Sequence, residues 1–206
     1  MRTISRRMVV ASPGALALAG CSGLLSGAGG PRAALYTLTT LTDFSCVRPA
    51  PRLQLLIDRP TSSDALDTVR IALRRNQLSF DYFANSAWTD SAPAMIQSLL
   101  VDSLQRSGCV AAVTRDTLAI HGNFELRIEL RHFEAEYLSD TNLPTVRVEL
   151  GLIMVRVDDR KVVGTRTVTA TARPTRNDVP AIVAAFDNAL HAAMRDTLTW
   201  TLQVAH

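Results

Sequence analysis

Three side chains that could form a metal or acid–base site lie close together in the sequence. His132, Glu134 and Glu136 are separated by single residues, so in an extended strand all three point to the same face. An imidazole and two carboxylates on one face could bind a metal ion or transfer protons. A charged strand face in contact with water has the same pattern, and it is the interpretation we favour.

The sequence lacks the common catalytic and nucleotide-binding motifs. It contains no GxSxG, HExxH, P-loop or GxGxxG pattern, and these patterns place nucleophiles, zinc ligands or phosphate-binding backbone. Asp158 and Asp159 are adjacent, but their position between two strand-like segments favours a hairpin turn over a pair of catalytic carboxylates. We therefore expect a protein that is not an enzyme, with no catalytic residue, metal ligand or cofactor.

A cysteine near the N-terminus gives the strongest signal in the sequence. A start with three arginines and no acid is followed by an apolar run from Met8 to Leu18, and Leu18-Ala19-Gly20 directly precedes Cys21. These are the parts of a secretory signal peptide, and the last four residues match the bacterial lipobox, whose cysteine receives diacylglycerol. We expect residues 1–20 to be a signal peptide and Cys21 to be the lipidated first residue of the mature chain. The alternative is ordinary cleavage near Ala19 beside a coincidental cysteine.

The residues after Cys21 predict where the lipid holds the chain. Ser22 stands at the position where an Asp typically retains lipoproteins in the inner membrane, so we expect delivery to the outer membrane, facing the periplasm. Residues 21–32 are rich in Gly and Ser and predict a flexible tether with a root-mean-square reach of roughly 18 Å.

Removing the predicted signal peptide changes the charge balance. The chain has 22 basic and 19 acidic residues, and the signal contains Arg2, Arg6 and Arg7 but no acid. The mature chain is therefore formally neutral. This balance argues against a nucleic-acid partner, and the absence of a polybasic cluster leaves membrane attachment to the lipid.

Two cysteines remain after lipidation of Cys21. Cys46 and Cys109 would lie in the oxidising periplasm, where leftover cysteines often pair. Cys109 at the start of a predicted strand could equally be a buried thiol. The sequence leaves the disulfide and the free thiols as open alternatives.

Alternating polar and apolar residues predict a sheet with one polar face in the second half of the chain. Strands are predicted at 124–131, 146–154 and 165–172, with a β-bulge at 131–133 where the apolar positions change parity. Shorter strands are predicted at 34–39, 53–57, 68–73, 78–83 and 109–113.

Capping residues predict two main helices. Asp90 or Ser91 would cap the first helix and Gly108 would end it, and Asp178 would cap a long final helix. We expect the α/β class with mixed α+β character: one mixed β-sheet ending in an antiparallel meander, with both helices packed on it. Residues 33–206 would form this single domain.

Two aromatic residues precede the first helix and could contact a partner. Tyr82 and Trp88 belong to a segment that the pattern predicts as a connection between a strand and a helix, and exposed aromatic residues often anchor protein interfaces. For Trp88 we favour the other interpretation, in which it packs the start of the helix onto the core.

Several short segments, taken in order, resemble the ABC-type transport auxiliary lipoproteins. They are Tyr36-Thr37-Leu38, the segments Asp67–Ile71, Phe80–Asp90 with Pro93, Leu104–Gly108 and Leu126–Tyr137, and Ala184–Ala189 near the end. Relatives commonly have Tyr-Leu-Asp-Arg where this chain has Leu56-Ile57-Asp58-Arg59, so no role of that tyrosine carries over.

The resemblance implies a mixed α/β domain, held at the outer membrane, that works with a periplasmic Mce-domain (mammalian cell entry) protein. Through that protein it would work with an inner-membrane ABC permease and ATPase, and together they would move phospholipid or other lipids between the membranes. We therefore expect a non-enzymatic adaptor that docks the periplasmic transport component. The alternative is an outer-membrane assembly lipoprotein similar to the small lipopolysaccharide-insertion partner, and a periplasmic hydrolase is a distant third.

Overall fold

A computed structural model describes residues 32–44, 46, 49–115, 122–138 and 142–205 of the chain. The predicted signal peptide, Cys21 and the tether up to residue 31 lie outside the described residues. Residues 33–206 form one compact unit. Its elements are β1 (Ala34–Tyr36), β2 (Ala50–Ile57), β3 (Thr61–Ser62), β4 (Arg70–Asn76), β5 (Ser79–Trp88), α1 (Ala92–Ser107), β6 (Val110–Thr114), β7 (Phe124–Glu136), β8 (Thr145–Arg156), β9 (Val162–Ala172) and α2 (Val179–Val204).

The long strand β7 organises the whole sheet. Along one edge it pairs antiparallel with β8, which pairs antiparallel with β9. Along the other edge it pairs in parallel with β2, β3 and β4, at its beginning, middle and end in turn. Strand β6 extends the sheet beside β2, while β5 and β1 extend it beside β4. The predicted fold class is confirmed, because the sheet is mixed, ends in an antiparallel meander and carries two helices.

The predicted β-bulge lies in β7. The register with β8 shifts between Leu130 and His132, so Arg131 is an extra residue and the side-chain alternation changes phase. Leu130 and Phe133 can therefore both be buried, while Arg131 and His132 both remain on the polar side of the sheet. The parity change in the sequence has this physical cause.

Both helices begin where the capping residues predict, and α1 also ends there. Ser91 is the N-cap of α1, Pro93 lies in its first turn, and Gly108 ends it in the left-handed conformation with φ 64°. Asp178 caps α2 by accepting a hydrogen bond of 2.9 Å from the backbone N–H of Ala181. The apolar side of α2 packs on β8 and β9, which buries one face of the meander.

Strand β5 rules out Trp88 as a partner contact. The strand continues beyond the predicted end at 83 and includes Trp88, so this residue does not lie in an exposed connection. Its indole is only 1% exposed and packs against Phe186 and Phe133, with ring centroids 5.3 and 5.8 Å away. Trp88 is therefore a core residue, which is the interpretation that the sequence favoured, and it offers no surface to a partner.

Candidate functional site

The polar face of the meander contains a groove of about 720 Å³. Its floor is formed by β7, β8 and β9, and one wall is the segment that follows β2. The groove is lined by Asp58, Arg59, Thr61, Arg127, Ile128, Glu129, Arg131, Gly151, Leu152, Ile153, Thr165, Arg166 and Thr167. This groove is our candidate functional site.

Arg131 crosses the floor of the groove. Its Nε donates to Glu129 Oε2 at 2.8 Å, and its Nη1 donates to Thr167 Oγ1 at 3.2 Å. Between these partners the guanidinium lies over Gly151, where a Cβ atom would be 2.8 Å from Nη2. The missing side chain at Gly151 thus leaves room for a cation in the middle of the sheet.

Arg59 fixes the wall of the groove to the start of α1. Its guanidinium forms two hydrogen bonds with Asp67, of 3.0 and 2.6 Å, and a third of 3.0 Å to Ser91 Oγ. The paired, planar geometry holds a guanidinium more firmly than a single bond does. The ion pair also lowers the pKa of Asp67, with the hydrogen bond from Arg59 as the main cause.

A carboxyl pair lies at the end of the groove. Burial raises the pKa of Asp58 to about 6, and a hydrogen bond and charge repulsion from Glu125 act in the same direction. The pKa of Glu125 is lowered instead, mainly because Arg127 Nε donates to its carboxylate at 2.5 Å. Asp58 therefore keeps its proton up to about pH 6, where Glu125 is already ionised.

These contacts suit the recognition of a polar surface. Arg59, Arg127 and Arg131 are each held by a carboxylate, so their donors are ordered before a partner arrives. Ile153 lies among them with 41% of its surface exposed and provides an apolar contact. Ordered guanidinium groups around an exposed apolar side chain are typical of protein interfaces.

The cluster of His132, Glu134 and Glu136 lies further along β7, and it is an ion-pair network. Candidate ligand atoms of these three residues lie within 4.8 Å of one another, but both oxygens of Glu134 have partners. Oε1 is 2.6 Å from His132 Nδ1, and Oε2 accepts the backbone N–H of Phe133 at 2.6 Å. Arg74 Nη1 is 3.7 Å from Oε1. The expected water-exposed face is corrected here, because Glu134 is only 1% exposed.

The same network continues onto β8. Arg147 Nη2 donates to Glu149 Oε2 at 2.6 Å, and its Nη1 is 3.9 Å from Glu136 Oε1. Burial raises the pKa of Glu149, but the hydrogen bond and charge of Arg147 outweigh it and leave the pKa below its ordinary value. Two arginines thus already supply the positive charge that a metal ion would bring.

The other candidate residues occupy separate places. Cys46 and Cys109 are joined as a disulfide with a Cα–Cα distance of 5.9 Å, beside the pairing of β2 with β6. Tyr82 is half-buried, with its hydroxyl donating to Ala65 O at 3.0 Å and the Arg70 guanidinium 3.6 Å above its ring. Neither the disulfide nor Tyr82 lines the groove.

Sequence reasoning missed the groove itself. Asp58 and Arg59 stood out only as part of a motif, and Gly151 gave no signal beyond a glycine in a strand. A glycine in a central strand often marks close approach of another group, and that is its role beneath Arg131.

A family model matches most of the chain. Residues 36–196 match the family described as "ABC-type transport auxiliary lipoprotein component". Protein XCC0632 from Xanthomonas campestris has a similar crystal structure, with a TM-score of 0.79 and 28% identity over 84% of this chain and 97% of that one. The hypothetical protein CT253 from Chlamydia trachomatis shares the fold alone, with a TM-score of 0.51 and 7% identity over 74% of this chain and 97% of that one.

A curated relative is longer than this chain. Uncharacterized protein bll6063 of Bradyrhizobium diazoefficiens is 28% identical over 186 residues, which cover 90% of this chain but 49% of the relative. The chain therefore spans about half the length of that relative. Among the described helices, none combines the length and apolar character needed to cross a membrane. From the match over residues 36–196, the chain belongs to the family of ABC-type transport auxiliary lipoprotein components.

Proposed function

We propose that this chain is an outer-membrane-anchored auxiliary lipoprotein of an Mce/ABC-type intermembrane lipid transport system. It acts as a non-enzymatic adaptor that docks the periplasmic Mce-domain protein, and through it the ABC permease and ATPase. The observation that carries the proposal is the groove on the polar sheet face, in which ordered arginines surround an exposed isoleucine. Family membership supplies the transport context.

The sequence supports the anchor. In the lipobox, Cys21 receives diacylglycerol. Ser22 favours the outer membrane, and residues 22–32 provide the tether. Stable attachment requires two membrane-binding signals, and the acyl chains of a triacylated cysteine meet this requirement. The folded domain then faces the periplasm and can reach a component that spans it.

The polar clusters support a role in binding rather than catalysis. The His132–Glu134 pair is flanked by Arg74 and the bulged backbone, so its groups are engaged in holding the sheet. In the groove, the carboxylates hold guanidinium groups in place. Among the described residues, neither cluster places a nucleophile beside a free base, as nucleophilic catalysis requires.

The groove can contact a protein without large rearrangement. Arg59 and Arg131 are already ordered by Asp67, Glu129 and Thr167, so binding requires little further loss of side-chain entropy. A partner with acidic groups could share these donors, and an apolar side chain could cover Ile153. Interfaces of this kind derive most of their affinity from a few such anchors.

Co-purification tests the proposal. The full acylated chain, tagged at its C-terminus and extracted in detergent, should retain the Mce-domain protein encoded beside it. The same extract is also tested for retention of the lipopolysaccharide-insertion machinery. Retention of that machinery and not of any Mce-domain protein would contradict the proposal and support the assembly alternative.

A further inference from the structure

The hairpin between β4 and β5 ends in apolar side chains that face water. Leu78 is 99% exposed and Phe80 is 39% exposed. Leu138, also exposed, follows the end of β7 at the same level, because Arg74 pairs with Glu136 in parallel strands. We call Leu78, Phe80 and Leu138 the apolar tip.

The turn that presents Leu78 is well ordered. Asn76 Oδ1 accepts the backbone N–H groups of Leu78 and Ser79 at 2.9 and 2.8 Å. Arg74 Nη2 donates to the carbonyl oxygen of Gln77 at 2.5 Å. Leu78 is therefore held in water by a defined turn, at the cost of an exposed apolar surface that a partner or a membrane could cover.

A cation and an aromatic ring stand next to the apolar tip. The Arg75 guanidinium lies 5.6 Å from the centre of the Tyr137 ring, and Arg75 is exposed. It has no carboxylate partner among the residues that the structure describes. Apolar side chains flanked by an aromatic ring and an unpaired cation are suited to the boundary between lipid headgroups and acyl chains.

The attachment point of the tether indicates what covers the tip. Strand β1 runs parallel to β5, with Ala34 beside Ser86 and Tyr36 beside Trp88. Because β5 begins at the hairpin, the chain enters β1 from the direction of the hairpin. From Arg70, which pairs with Ala87, strand β4 runs about 20 Å to the tip at the ordinary rise of a strand.

The length of the tether allows the lipid and the tip to meet the same surface. Residues 22–33 separate Cys21 from β1, and a chain of that length spans at most about 40 Å. A Gly- and Ser-rich coil of this length has a root-mean-square end-to-end distance of about 19 Å, which is close to the distance from the start of β1 to the tip. A bilayer that holds the lipid on Cys21 is thus within reach of Leu78.

We propose that the apolar tip docks on the phospholipid bilayer that holds the lipid of Cys21, with Arg75 facing lipid phosphates. The inference rests on the lipid anchor of the proposed function and adds an orientation to it. The lipid provides attachment, and the tip directs the hairpin end of the sheet to the membrane. Val162 at the opposite end of the sheet then faces away from the membrane.

Tryptophan fluorescence can detect this docking in the full acylated chain. The L78W variant is reconstituted into phosphatidylethanolamine–phosphatidylglycerol vesicles, with and without brominated acyl chains. The native Trp88 and Trp200 are buried and give a constant background. The matched control is V162W, because Val162 is also exposed but lies at the other end of the sheet. Val162 pairs with Val155, and Val155 pairs with Glu125 near the start of β7. Glu136, which lies near the apolar tip, is at the end of β7.

We expect the added tryptophan of L78W to shift to the blue and lose most of its emission to brominated lipid, while V162W keeps water-like emission. If both variants sediment with vesicles but L78W stays unshifted and unquenched, docking is wrong while the anchor stands. Chains that do not sediment with vesicles would contradict the anchor and the docking together. A blue shift of L78W that needs an added Mce-domain protein would assign the tip to a protein and overturn the membrane proposal.

Discussion

The guanidinium group of Arg131 lies over Gly151 in the middle of the sheet, 2.8 Å from where a Cβ of residue 151 would be. The β-bulge in β7 makes this possible, since it places Arg131 outside the regular pairing with β8. Thr167 on β9 accepts a hydrogen bond from the same side chain. All three strands of the meander therefore help to hold the Arg131 guanidinium, which lies at the centre of the groove.

Lipid attachment depends on Cys21. We expect Cys21→Ala to abolish palmitate labelling and to remove the protein from the outer-membrane fraction, because the lipid is the proposed anchor. Labelling and membrane fractionation of the wild type and the variant provide the measurement. Labelling that persists in the variant would show that the anchor is elsewhere.

The Cys46–Cys109 bridge should stabilise the domain. The two cysteines are separated by 63 positions, and closing a loop of that length is worth about 4 kcal/mol in the chain-entropy model. Thiol alkylation of exported, denatured protein with and without reductant tests whether the bridge forms. Two alkylated thiols in the non-reduced sample would rule it out, and the Cys46→Ser/Cys109→Ser double variant measures its contribution to unfolding.

Trp88 should matter for stability and not for docking. We expect Trp88→Ala to lower the free energy of unfolding by about 3–5 kcal/mol, the usual loss for a buried aromatic residue, since its ring packs on Phe186 and Phe133. Tyr82→Ala, at a half-buried position, should cost less. Urea unfolding measures both, and a Trp88→Ala variant as stable as the wild type would contradict the core assignment.

The carboxyl pair should make stability depend on pH. The pKa of Asp58 is raised from 3.8 to about 6, so its contribution to stability is complete below the lower value and is lost as pH rises through the higher one. Asp58→Asn stays neutral, so its melting temperature should exceed that of the wild type at pH 8, with a difference that shrinks towards pH 5. Melting curves of both proteins at pH 5 and pH 8 provide the measurement. A difference in melting temperature that is equal at the two pH values would contradict the raised pKa.

Local signals explain which parts of the fold could be predicted from the sequence. Ser91 and Gly108 define α1 because helix ends depend on nearby residues, and the bulge at Arg131 shifts a pattern of period two. The parallel pairing of β7 with β2, β3 and β4 joins segments far apart in the chain. No local pattern encodes that pairing.

Long-range contacts also explain why the sequence left two interpretations of Trp88 and why the groove is absent from the sequence analysis. Trp88 is buried because it packs against Phe186, which lies on a helix far along the chain. The groove needs Arg131 and Gly151 to meet across two strands, and alternation of polar and apolar residues shows only that the face is polar. The cysteine pair likewise depends on β2 and β6 being neighbours.

The affinity of the full acylated chain for the Mce-domain protein tests the central claim most directly. Biolayer interferometry in detergent can compare the wild type with Arg131→Ala, which removes the central cation of the groove. Arg195→Ala is the matched control, because Arg195 is also ion-paired and its side chain is 43% exposed, against 42% for Arg131. We predict that Arg131→Ala raises Kd at least tenfold, equivalent to about 1.4 kcal/mol, and that Arg195→Ala leaves it unchanged. Equal Kd values for the wild type and Arg131→Ala, or no binding of the wild type, would contradict docking through the groove.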